Sequence, residues 1–271
     1  MIRILSILVG LFFSVALLWS AGKGVVALSH DGLPHTVEAA FHKHPKEVEF
    51  ASDGAFGKFD NQQLQRGFKV YSEVCANCHA LKHVAFRDLK AIGYNDDEVK
   101  AIAKKYQIPV YDPATGEVKT HEGMAKDHFP PVVYAGQGVP PDLSLITKAR
   151  HEGPAYVYSL LTGYAQQPAE LLKQFPDAKT PEGLHFNPYF ANLNIAMPQP
   201  LTSDDQVTYT DGTKASVDQM AKDVSAFLIW TAEPKLDKRK QTGWAVLGFL
   251  LFATVLAYMA YRNVWAEKKG H

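Results

Sequence analysis

Cysteine is almost missing from this chain: two residues in 271, at positions 75 and 78. A structural zinc site takes four ligands, so these two thiols would have to recruit two histidines from an unpaired set. A disulfide between them would close almost no loop and stabilise little. Net charge is missing as well, with 28 basic and 28 acidic residues, but that balance sums unlike regions. Residues 30–234 hold 19 Lys and Arg against 26 Asp and Glu, a net charge of −7, and the remaining positive charge sits in the two tails. This distribution argues against a nucleic-acid surface and suits a partner with a basic face. There is no internal repeat and no low-complexity tract.

Two long apolar runs stand at the ends. The first has Arg3, an apolar stretch from Ile4 to Trp19 and then small residues, the pattern of an export signal over residues 1–29. Neither Ser20-Ala21-Gly22 nor Ala27-Leu28-Ser29 forms a clean cleavage box, and an uncleaved anchor is the alternative. The second run, Gly243–Tyr261, has no charge in nineteen residues. That length crosses a hydrocarbon core of about 30 Å at about 1.5 Å per residue. Trp244, Tyr258, Tyr261 and Trp265 lie near its ends, where interfacial aromatics belong. A transmembrane anchor is therefore expected over residues 243–264, after a basic linker at 235–242. Four basic residues flank it upstream and three downstream, so flanking charge does not orient it. The export signal does: it places residues 30–234 in the periplasm and the tail 265–271 in the cytoplasm. The expected location is a bacterial inner membrane, crossed once.

Between the runs, Asp60 is placed to cap a helix through "NQQLQRGFKVYSEVC", where Leu64, Phe68, Tyr71 and Cys75 recur at helical spacing. Gly67 interrupts that helix at a cost of about 1 kcal/mol against alanine, which implies close approach by another backbone. Ser216-Val217-Asp218-Gln219 has the capping-box pattern before a second helix, striped by Met220, Val224, Phe227 and Leu228 and closed by Pro234. "VTYTDGTKA" reads as a hairpin turning at Asp211-Gly212. The rest is rich in Pro, Gly and Asn, as in "FPPVVYAGQGVPPDLS" and "NPYFANLNIAMPQPL". One mainly α domain with long loop insertions fits better than two domains.

The cysteines lie in "CANCH", with His79 directly after the second. A thioredoxin-like dithiol belongs where strand meets helix in an α/β pattern, and here the motif ends a helical segment. Covalent attachment of one c-type haem fits better. Cys75 and Cys78 would be the tethers and His79 the proximal iron ligand. The sixth position then separates functions, because an open iron can activate peroxide or sense gases and a second strong ligand favours electron transfer. Of five methionines, Met1 is the initiator, Met259 lies in the anchor, Met220 lies on a helix's apolar face, and Met124 sits in the polar "HEGMAKDHF". Met197 lies in "NIAMPQPL", where Pro198 and Pro200 stiffen an extended loop. On pattern alone Met197 leads; a bis-histidine pair and an open site stay open.

The series "FDNQQLQRGFKVYSEVCANCH", "PPDLSLITKARHEGPAYVYSLLTGY", "FNPYFANLNIAMPQPL" and "DGTKASVDQMAKDVSAFLIWTAEP", with one C-terminal membrane helix, closely resembles the cytochrome c1 family. Its members are the haem subunits of quinol–cytochrome c reductase (bc1) complexes. The resemblance covers nearly all of the exported region and the anchor. It implies a class I cytochrome c-like haem domain in which the helices before the haem and near the C-terminus cross. It implies His79 and Met197 as axial ligands, Arg150 and Tyr156 near a haem propionate, and a carbonyl of Pro140 or Pro141 orienting His79. His151 is then structural, and the histidines at 30, 35, 42 and 44 form a polar N-terminal segment. Two departures stand out: the additional cysteine pair of some bacterial relatives is absent, and "VYAGQG" replaces the asparagine-rich approach to "PPDLS" of mitochondrial relatives.

The implied role is one-electron transfer from a Rieske iron–sulfur protein to a soluble c-type cytochrome, beside cytochrome b in a dimeric complex, with no substrate chemistry on this chain. Asp96, Asp97 and Glu98, or Asp204 and Asp205, are candidate docking charges, although either cluster alone reads as an ordinary solvated face. A membrane-anchored cytochrome c shuttling to an oxidase and a haem peroxidase-type enzyme are the alternatives.

Overall fold

The computed structural model of the chain describes residues 2–32, 36–111, 113–136, 138–266 and 268. In chain order, helices α1 (Ile2–Asp31), α2 (Val37–Phe41), α3 (Asn61–Glu73) and α4 (Asp96–Ala103) precede strands β1 (Gln107–Tyr111) and β2 (Val118–Glu122). Then come α5 (Ile146–Ala149), α6 (Gly153–Leu161), α7 (Ala169–Gln174), β3 (His185–Phe186), β4 (Asn194–Ile195), α8 (Val217–Ala232) and α9 (Leu236–Ala266). The architecture is mainly helical, with two small antiparallel pairs, β1–β2 and β3–β4.

The core forms where α3 crosses α8. Asp60 caps α3 by accepting from the Gln62 amide at 3.0 Å, and the helix buries Leu64, Phe68, Val70 and Tyr71. Gly67 sits at the crossing, where a Cβ would stand 2.1 Å from the Asp223 carbonyl oxygen and 2.7 Å from Phe227 Cβ. The missing side chain is thus what lets the helices touch. Ser216 Oγ caps α8 by accepting from the Gln219 amide at 3.1 Å. Only half of the expected box forms, because the Gln219 side chain donates to Asp223 at 2.8 Å instead. Around the crossing, Phe68 meets Phe227 at 5.6 Å, and Phe129 packs against both Tyr71 and Phe86. Asp223, fully buried, is neutralised by Arg66 at 2.9 Å and hydrogen-bonded by Gln63 at 3.2 Å. Arg66 also holds Asp211 at 2.6 Å, tying the loop before α8 to α3. Helices α5 and α6 complete the packing, with Thr147 Oγ1 donating to the Leu228 carbonyl at 3.1 Å. A satellite core of Leu171, Phe186 and Leu193 lies beneath α7 and the β3–β4 pair.

The hairpin expected at Asp211-Gly212 is a turn without strands. Gly212 does take a positive φ of 81°. However, Asp211 spends its carboxylate on Arg66 and on the Thr213 amide, and Val207 and Ala215 enter the core. The ladder forms instead between β1 and β2, pairing Gln107 with Glu122 through Tyr111 with Val118. Its side chains are mostly exposed.

α1 and α9 are both long and apolar enough to cross a membrane, with mean hydropathies of 2.3 and 1.9, and neither span is buried by the rest of the chain. The stretch 235–242, read as a basic linker, is helical from Leu236 and continuous with the apolar run. Of the N-terminal histidines, 30, 42 and 44 are exposed and His35 lies outside the described residues, as does most of the tail 265–271.

Candidate functional site

The apolar stripe of α3 delivers the chain directly to the cysteines. After Val74 the helix tightens into a 3₁₀ turn, Cys75–Asn77, and the Cys75 carbonyl accepts from both the Cys78 amide (3.1 Å) and the His79 amide (2.9 Å). Both thiols and the imidazole therefore hang from one turn. Neither cysteine is in a disulfide. Burial pushes the Cys75 thiol up to about 12, with Cys78 adding to the effect. Tyr71, buried on the last turn of α3, donates its hydroxyl to the His79 carbonyl at 2.9 Å.

His79 is oriented from outside its own segment. Its Nδ1 lies 2.8 Å from the carbonyl of Pro141, 62 residues away. A carbonyl only accepts, so Nδ1 carries the proton and the Nε2 lone pair remains for a metal. Burial lowers the imidazole's proton affinity, with the Pro141 bond and the Asp142 charge opposing, and the ring is held towards its neutral form. Three further bonds fasten residues 80–83 to 142–144, and a fourth braces the second segment internally. Leu143 N donates to Ala80 O (2.9 Å), Lys82 N to Asp142 (2.8 Å), His83 N to Ser144 Oγ (3.1 Å) and Ser144 N to Asp142 (3.0 Å). Of the two candidate prolines, Pro141 is the one that bonds His79.

Met197 lies half-buried in the loop after β4 and packs, like Cys75, Leu143 and Tyr156, against the main core. The loop carrying it is tied down by side chains. Tyr164 donates its hydroxyl to the Met197 carbonyl at 2.9 Å, Gln199 bonds the Leu201 carbonyl and Gln206 the Pro200 carbonyl, each at 2.8 Å. It also adjoins the loop leading to Pro141, because a Cβ on Gly138 would sit 3.9 Å from that of Ala196. The other described methionines are placed differently: Met220 is fully buried, and Met124 and Met259 are exposed. The donor set fits a covalently held haem: two unpaired thiols, an imidazole with one nitrogen committed and one spare, and a half-buried thioether on a braced loop.

A model of the Cytochrome C1 family matches residues 50–268. The chain belongs to the cytochrome c1 family. Cytochrome c1 of Rhodospirillum rubrum is 42% identical over 233 residues, covering 80% of this chain and 85% of the relative. Cytochrome c1 of Cereibacter sphaeroides is 40% identical over 270 residues, covering 86% and 90%. A mitochondrial relative from Arabidopsis thaliana, named a cytochrome c1 haem protein, is 39% identical over 260 residues, covering 92% and 81%.

The remaining residues that the cytochrome c1 pattern implicates are partly assembled. Arg150 follows α5, is exposed, and donates to the Ala149 carbonyl at 3.3 Å. Tyr156 is half-buried on α6, and burial raises its phenol while the adjacent Arg150 pulls the other way. Burial raises the Tyr164 phenol, with Tyr156 adding to the effect, and the Tyr164 hydroxyl bonds the Met197 backbone. Sequence reading does not single out Tyr164, which lies three residues beyond the end of α6 and reaches Met197 only through the fold. His151, read as structural, has a side chain 97% exposed and no place in the core. The acidic clusters are engaged locally: Asp96 pairs with Lys90 (2.8 Å), Asp97 with Lys100 (3.0 Å), Glu98 completes the α4 cap, and Asp204 binds Lys214 (3.2 Å) and the Val217 amide (2.9 Å).

Proposed function

We propose that this chain is the haem-bearing electron-transfer subunit of a bc1 complex, taking one electron from a Rieske iron–sulfur protein and passing it to a soluble c-type cytochrome. The observation that carries the reading is the Pro141 carbonyl at 2.8 Å from His79 Nδ1, which leaves Nε2 as a free donor on a residue that shares one turn with two unpaired thiols. Haem c, when bound, supplies a one-electron Fe(III)/Fe(II) couple. The chain's own residues do the rest. Cys75 and Cys78 would tether the group, and His79 and Met197 would supply the nitrogen and sulfur ligands that hold its iron. Pro141 holds the imidazole's orientation, and Tyr164 fixes the backbone that presents the thioether. Two strong ligands held by braced segments would favour electron transfer over substrate binding, and a thioether ligand would favour the ferrous state. Arg150 and Tyr156 would hold a propionate, for which a guanidinium is a charge-assisted donor.

The domain takes a class I cytochrome c-like fold, built on the α3–α8 crossing. It lies in the periplasm of a bacterial inner membrane, exported by residues 1–29, with α9 as its single anchor and cytochrome b alongside in a dimeric assembly. The net charge of −7 over residues 30–234 favours encounter with a basic partner, an effect that salt weakens. Mild-detergent purification through this chain tests the reading. Cytochrome b should accompany it, and added quinol should reduce its haem in a manner blocked by quinol-oxidation-site inhibitors. Purification without cytochrome b, or reduction indifferent to those inhibitors, would overturn it.

A further inference from the structure

The loop Ser52–Gly57 is bound to the start of α9 from three sides. Lys240 Nζ donates to the carbonyls of Ser52 (2.6 Å), Gly54 (2.6 Å) and Gly57 (3.2 Å), using all three ammonium protons. The Asp237 carboxylate accepts from the Phe59 amide at 3.2 and 3.3 Å. Trp244 Nε1 donates to the Ala55 carbonyl at 3.4 Å, and the Trp244 ring stacks on Phe56 at 4.9 Å, with the planes 4° apart. Glycine makes this shape possible. Gly54 has φ +67°, and a Cβ on Gly57 would stand 1.9 Å from the Asp53 carbonyl oxygen.

So firmly held a loop nevertheless presents its aromatic tip outward, with Phe56 79% and Trp244 47% exposed. Trp244, four positions after Lys240, is the second residue of the apolar run that begins at Gly243, so the stack lies where α9 passes from its basic turns into that run. At that level an amphipathic ring is stabilised by the headgroup region, and Phe56 shares its depth. The Lys240 bonds satisfy three loop carbonyls that would otherwise resist a drier environment. Lys58, directly after the loop, and Lys238, on the first turn of α9, are exposed and suited to lipid phosphates.

We propose that the Ser52–Gly57 loop is a membrane-seating element: Phe56 and Trp244 enter the interfacial layer of the leaflet on the domain's side, and the Lys240 clasp holds the domain at a set height over the bilayer. This rests on α9 crossing the membrane, and the test separates the two ideas. The full chain, in native membranes, carries the photo-crosslinking amino acid p-benzoylphenylalanine in place of Phe56, Leu251 or Glu117, the last being exposed in the β1–β2 turn. An unchanged haem spectrum checks the fold of each chain. After irradiation, mass spectrometry should find lipid adducts at 56 and 251, at least tenfold above the level at 117. Lipid at 251 without lipid at 56 overturns the seating and leaves the anchor standing. Adducts from 56 to another protein subunit overturn it in favour of a protein contact. No lipid at 251 removes the anchor and the proposal together.

Discussion

Replacing Gly67 with alanine sets two principles against each other. Helix propensity alone favours Gly67→Ala by about 1 kcal/mol. The crossing opposes it, because the new methyl would lie 2.1 Å from the Asp223 carbonyl oxygen. A carbon–oxygen contact needs about 3.3 Å, so α3 and α8 must part by roughly 1.2 Å. A gap of about 1 Å forfeits up to half of the dispersion attraction across an interface. The Phe68–Phe227 and Tyr71–Phe227 contacts, at 5.6 and 5.8 Å between centroids, lie on it. Overpacking of this severity costs about 3 kcal/mol, leaving a net loss of about 2 kcal/mol after the propensity gain. For a domain of this size that is a fall of about 4–8 °C in Tm. Thermal unfolding of the detergent-solubilised chain, followed by tryptophan fluorescence, reads it directly. A Gly67→Ala variant as stable as the parent, or more so, would refute the claim that the crossing depends on the missing side chain.

Other outcomes follow from the same packing. Asp223→Ala leaves the Arg66 guanidinium short of its buried partner and should cost about 3 kcal/mol in a urea titration, with Asp223→Asn retaining part of the loss; equal midpoints for all three chains would contradict it. Glu233 accepts from Arg239 and, at 2.6 Å, from Lys148, which hold its carboxyl below the ordinary 4.5. A depressed folded value gives stability that is present above pH 4.5 and lost as pH falls through the folded pKa. Glu233→Gln should therefore destabilise by up to about 1 kcal/mol at pH 7 and converge with the parent in acid; a gap that persists in acid would show that charge is not the cause. Met197→Ala should abolish the weak far-red Met–iron band while haem stays attached through denaturing electrophoresis, and Met220→Leu should keep the band. If Met197→Ala keeps it, another residue is the sixth ligand.

What could be read from sequence was local or was carried by a few strong residue types. The Asp60 cap, the stripe through Leu64, Phe68 and Tyr71, the backbone approach at Gly67 and the uncharged run of α9 each follow from neighbours within a few positions. What escaped depends on distant partners. The Asp211-Gly212 signal is a sound turn signal, but Arg66, 145 residues earlier, takes the Asp211 carboxylate. The β1–β2 pair was hidden because Pro109 lies inside β1, and proline speaks against a strand until the edge position is known. The site divides in the same way. The thiols and imidazole share one turn and are visible as a motif, whereas the tie from Tyr164 to the Met197 carbonyl spans 33 residues and that from Lys240 to Ser52 spans 188.

Only Glu233, Pro234 and Lys235 separate α8 from α9, and Glu233 grips both the domain and the new helix. The anchor is therefore a mast stepped into the domain, and angles pass along it. A span too long or too short for its bilayer adjusts by tilting. With so stiff a joint, a tilt of about 10° turns the domain with it and carries a point about 30 Å away through roughly 5 Å. Bilayer thickness thereby becomes one of the coordinates that set where the Cys75–His79 turn faces its partners.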